Sequence, residues 1–149
     1  MYNDLSGLIG STVEEIWMSN YQLAFLTDKG WLTYEVEGDC CSHSFFHDFI
    51  GVKKLLDGNP IISAKEIYDS PVEPTQEELD YADVLQCYGV ELVTDSPDFG
   101  EVTSVFSFRN DSNGYYGGWI DRCSAERPSA NAVKIVDDVL DVGVLEGKE

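Results

Sequence analysis

The chain has 149 residues, 43% of them hydrophobic, with 28 Asp and Glu against 9 Lys and Arg and a formal charge of −19. That length fits one domain, residues 1–149, and the hydrophobic share excludes a disordered chain. An isoelectric point near 4.1 sets the surface against DNA, RNA and anionic membranes, and suits high solubility, a basic protein partner or mimicry of a nucleic acid. No apolar run reaches transmembrane length, and the first residues carry neither the basic nor the apolar part of a signal peptide. The expectation is a cytoplasmic protein whose Cys40, Cys41, Cys87 and Cys123 stay reduced.

Taken in order, Thr12 to Ser19 alternates and reads as a strand. Gln22 to Thr27 follows, then an Asp28-Lys29-Gly30 turn and a strand from Trp31 to Glu37, which makes a three-stranded meander. Gly38 to Ser42 breaks the pattern. Phe45, Phe46, Phe49 and Ile50 have helical spacing, so a helix is expected after Asp39 or Ser42 as N-cap. A second helical turn, Val52 to Leu56, ends at Asp57-Gly58-Asn59-Pro60. Pro60 to Tyr68 reads as a strand. Thr75-Gln76-Glu77-Glu78 has capping-box spacing and predicts a short acidic helix to about Asp83. Val84 to Thr94 returns to strand, and Ala132 to Leu140 fits a short helix or a last strand. The class is α+β: an antiparallel β-sheet built from two hairpin or meander units with one or two short helices.

The most informative stretch runs from Phe106 to Trp119. Val102 to Arg109 alternates, Asn110 to Gly114 is a run of turn formers, and Tyr115 to Arg122 reads as the return strand of a β-hairpin. Gly117 and Gly118 leave bare backbone beside aromatic residues, as a ligand site requires. Only three arginines occur, Arg109, Arg122 and Arg127, all in the last third. Arginine suits bidentate contact with phosphate, although each also fits a surface ion pair in so acidic a chain. Tyr115, and Phe99 as a loop aromatic, are candidates to stack on a base.

Other chemistry is weaker. His43 and His47 would share one helical face next to Cys40 and Cys41, but the paired cysteine spacing of zinc sites is missing, so no metal is expected. The chain contains no phosphate-binding loop, no Gly-x-Ser-x-Gly and no His-Glu-x-x-His, and no enzymatic activity or cofactor is expected.

Gly38-Asp39-Cys40-Cys41-Ser42 and Arg109-Asn110-x-Ser112-Asn113-Gly114-Tyr115-Tyr116-Gly117-Gly118 resemble the two signature stretches of a family of small phage and prophage proteins. The similarity spans about Leu8 to Trp119, and the family resembles the Thoeris anti-defence sponges. That resemblance implies a phage protein in the cytoplasm of an infected bacterium. It would sequester a cyclic nucleotide signal, a cyclic ADP-ribose isomer or a cyclic oligonucleotide, without cleaving it. It further implies a homodimer or higher homo-oligomer with pockets at its interface, arginines on phosphate and aromatics on adenine. Matching positions are Arg109, Asn113 and Tyr115, with Arg122 across the expected hairpin. Phe99 and Arg127 are added on residue type and position. The competing expectation is an acidic decoy for a host nucleic-acid-binding protein, using faces such as Glu73, Glu77, Glu78, Asp80 and Asp83.

Overall fold

The computed structural model describes residues 5–38, 42–68, 76, 84–112, 118–125 and 127–137. Among these, nine strands form two antiparallel sheets. Sheet A contains β1 (Val13–Met18), β2 (Gln22–Thr27), β3 (Gly30–Gly38), β8 (Gly118–Cys123) and β9 (Val133–Ile135), in the order β8-β3-β2-β1-β9. Sheet B contains β4 (His43–Ile50), β5 (Ile61–Ile67), β6 (Val84–Ser96) and β7 (Gly100–Ser112), in the order β4-β7-β6-β5. Each sheet holds one meander, β1-β2-β3 or β5-β6-β7, extended by strands from elsewhere in the chain. Helical structure among the described residues is a 3-10 turn, Leu5–Leu8, α1, Val52–Leu55, and Gln76. The fold is therefore mostly β, and α+β describes it only loosely.

The core lies between the sheets. Ile16, Leu23, Phe25, Tyr34 and Ile120 from sheet A meet Phe46, Phe49, Val90, Phe106 and Phe108 from sheet B. Phe25 reaches across to Phe106, with ring centroids 5.5 Å apart and planes at 80°, a favourable edge-on arrangement. Strand β5 does not run parallel to sheet A. Its first residue exchanges backbone bonds with residues just before β1, Gly10 N to Ile61 O at 2.7 Å and Ile61 N to Ser11 O at 2.9 Å. Further along β5, Glu66 Oε2 accepts from Ile120 N of β8 at 3.2 Å. Strands β1 and β8 stand three spacings apart, roughly 14 Å, while the steps from Ile61 to Glu66 reach roughly 17 Å. The two sheets therefore cross obliquely.

Two sequence expectations are corrected. The segment around Phe45 to Ile50 is strand β4, not a helix. A bulge between Phe46 and Phe49 lets both rings face the core against Phe108 and Phe106. Asp48 takes the strained turn there, with φ +68°, and its Oδ1 accepts from Phe49 N at 2.7 Å. The stretch Phe106 to Arg122 is not a hairpin: β7 stays in sheet B, and β8 leaves it to pair with β3 in sheet A. The acidic helix expected after Thr75 falls, Gln76 apart, outside the described residues.

After β8 the chain crosses the outer face of sheet A. Thr33 Oγ1 donates to Ala125 O at 2.8 Å, and Ser129 N donates to Gln22 Oε1 at 2.7 Å. This strap delivers β9 to the free side of β1, where Ile135 pairs with Ile16.

Candidate functional site

Two strand pairs end side by side at one corner of the sandwich. In sheet A, Gly38 closes β3 opposite Gly118, which opens β8. In sheet B, His43 opens β4 opposite Asp111, next to the end of β7. The connections β3 to β4 and β7 to β8 both switch sheets here. The two signature stretches, some 70 residues apart in sequence, therefore leave from neighbouring strand ends.

Polar side chains hold the corner. Ser44 Oγ donates to Glu37 O at 2.7 Å. Asn110 Nδ2 donates to Ser44 Oγ at 2.9 Å and to Ser42 Oγ at 3.2 Å. Asn110 is fully buried and Ser44 nearly so. Glycine is required beside them: a Cβ on Gly118 would run into Ser44 Oγ and stand 2.9 Å from Asn110 Nδ2. The bare backbone anticipated at Gly118 is thus real, and what approaches it first is this polar cluster.

Of the residues singled out from sequence, Asn113 and Tyr115 lie outside the described residues. Arg109 is 0% exposed. It projects from the outer face of sheet B beside its strand partners Phe45 and Cys87, and its Nη1 donates to Ser107 Oγ. Both faces of β7 are buried from Ser104 to Asn110, so the expected alternation does not mark a wet side. Arg122 is half-buried in β8 opposite Tyr34, in the other sheet from Arg109. Arg127 is exposed on the strap. Phe99 is 63% exposed at the far end of β7, under Lys54 Nζ at 3.6 Å from its ring centroid. About ten residue steps of extended strand, roughly 30 Å, separate it from Arg109. One copy of the chain therefore does not bring Phe99 and Arg109 into one pocket.

The family assignment rests on these same elements. A family model described as "Domain of unknown function (DUF7448)" matches residues 6–122. The chain belongs to the DUF7448 family. The DUF7448 span runs from the first 3-10 turn through Arg122, so it takes in both sheet-switching connections and leaves out the strap, Arg127 and β9. No curated protein and no solved structure matches the chain.

Sequence reasoning did not single out Ser42, Ser44, Gln86 or Asn110 as a unit. Ser42 and Asn110 sit inside the signature stretches, and that membership was the available signal. The histidines serve differently from the helical pair considered above. His43 Nε2 is hydrogen-bonded to Tyr21 Oη at 3.1 Å, and its ring lies 5.3 Å from that of Phe45. Among the described residues no three His, Cys, Asp or Glu side chains gather to hold a metal. Cys87 and Cys123 are half-buried thiols, the latter 2.9 Å from Thr33 Oγ1. Tyr21 also walls a shallow cleft of about 260 Å³ over sheet A, with Gln22, Glu35, Ser129 and Asn131. No described helix is long and apolar enough to cross a membrane.

Proposed function

We propose that this DUF7448 protein captures a cyclic nucleotide signal, a cyclic ADP-ribose isomer or a cyclic oligonucleotide, and holds it uncleaved. In this reading a phage makes it in the cytoplasm of its bacterial host to silence a nucleotide-signalled defence. The observation that supports it best is the meeting of the two signature stretches at one corner, where Gly38 pairs with Gly118 and Ser44 with Asn110. Residues that serve one pocket must converge in space, and these do so from opposite halves of the chain. Sequestration needs affinity and no transition-state chemistry.

The roles divide by depth. Asn113 and Tyr115, between the ends of β7 and β8, contact the ligand. Arg122 supplies positive charge from β8. Arg109, being buried, positions β7 from the outer side of sheet B. Phe99 joins the pocket only when a second copy supplies it, which agrees with a homo-oligomer. The net charge of −19 favours one other reading, an acidic decoy for a host nucleic-acid-binding protein.

One experiment separates these readings. The protein is dialysed against cyclic ADP-ribose isomers and, separately, cyclic oligonucleotides, recovered, heated, and the released compound identified by mass. Release of intact ligand near one per site supports the proposal. A cleaved product makes the protein an enzyme. No uptake removes the proposal and leaves the decoy, whose complex with a basic host protein should dissociate as salt is raised.

A further inference from the structure

The corner contains two buried carbonyl oxygens that no described residue satisfies. Ser44 has one hydroxyl hydrogen, and it is committed to Glu37 O at 2.7 Å. Ser44 Oγ therefore accepts from the Asn110 amide, which fixes Nδ2 toward the serines and turns Oδ1 the other way. Among the described residues Asn110 Oδ1 has no hydrogen-bond partner, although the residue is 0% exposed. Its cross-strand partner on β6 is Gln86. Opposed residues of an antiparallel pair share a face, with Cβ atoms roughly 5 Å apart. Gln86 Oε1 is likewise buried without a partner.

We infer that Asn110 and Gln86 form an acceptor pair for a ligand group bearing two N–H donors, a primary amide or an exocyclic amine on a base. Buried acceptors in folded proteins are almost always paired, so two on one cross-strand pair mark a place where a donor belongs. A phosphate or carboxylate has only acceptors and is repelled. A metal ion is disfavoured, since oxygen-bound cations take about six ligands and no three metal-binding side chains gather among the described residues. A primary amide or amine offers one N–H to each oxygen. Gln86 as a whole is half-buried, so its side chain links the pair to the surface. The inference rests on the reading above that this corner is the binding site, and it adds which part of the ligand is read there.

The test uses Gln86→Met, which keeps the length of the side chain and removes its amide, oxygen and NH2 together. Without ligand, its melting midpoint should rise by about 3 °C, because an unsatisfied acceptor has gone. NMR titration of the wild type with adenosine should shift the Asn110 and Gln86 side-chain amide signals. Inosine, with a carbonyl in place of the amine, should bind about tenfold more weakly, and Gln86→Met should lose that preference. A midpoint lowered by several degrees would show that the Gln86 amide is already bonded within the protein, as when its NH2 faces Asn110 Oδ1, and would overturn the inference. Equal binding of both nucleosides by the wild type, or of neither, would overturn it as well. An intact adenosine preference with no uptake of cyclic ADP-ribose or a cyclic oligonucleotide removes the proposed function and leaves this acceptor pair standing. Uptake without any preference does the reverse.

Discussion

The two ends of β7 are built on opposite principles. At its start, Ser96 pairs with Gly100 across a three-residue turn, and Ser96 Oγ accepts from both Asp98 N and Phe99 N at 3.3 Å. Gly100 adopts φ +74°, and a Cβ there would meet nothing within 4 Å. That end is exposed from Pro97 to Glu101, and its turn closes through its own local bonds. At the other end Asn110 is fully buried, Gly118 has no room for a methyl group, and two carbonyl oxygens lack partners among the described residues. The first end only has to reverse the chain. The second carries two sheet-switching connections and keeps polar groups inside the fold. A protein sustains that arrangement at a cost, and such costs concentrate where function is.

Substitutions at the two ends should therefore differ in size. Asn110→Ala removes both donors from the serines and leaves a cavity, so urea unfolding should show a loss of about 3 kcal/mol. Gly118→Ala forces a methyl group against Ser44 and Asn110 and should cost about 2 kcal/mol in the same measurement. Gly100→Ala meets no neighbour and pays only for its left-handed backbone, about 1 kcal/mol. Phe99→Ala loses one exposed contact with Lys54 and should cost about 0.5 kcal/mol. Equal costs for Gly118→Ala and Gly100→Ala would erase the contrast.

The strands of both meanders were legible in the sequence because each alternates and ends in turn residues. Gln22–Thr27 and the span near Pro60–Tyr68 are close to what their patterns predict. The failure at β4 has a clear cause. A bulge resets the two-residue period, so Phe46 and Phe49 both face the core with a spacing that also fits a helix. The failure at β8 is of another kind. Turn residues before Gly118 announce a reversal, but they do not tell which sheet receives the next strand. The partner of β8 is β3, some 80 residues earlier. For the site, residue type led to Arg109 as a phosphate contact, whereas Phe45 and Cys87 flank it on adjacent strands and the fold buries it. Sequence offered no means of seeing that Gln86 would lie beside Asn110, since only the register of β6 on β7 brings them together.

In the proposed function, ligand is held where the two sheet-switching connections meet. Backbone NMR shifts of the labelled protein, titrated with a cyclic ADP-ribose isomer that dialysis has shown to bind, test it most directly. The largest changes should fall in residues 38–44 and 110–118, with the turn at 97–100 of the same copy unmoved unless a second copy docks there. Changes confined to residues 73–83, with the corner silent, would contradict the account.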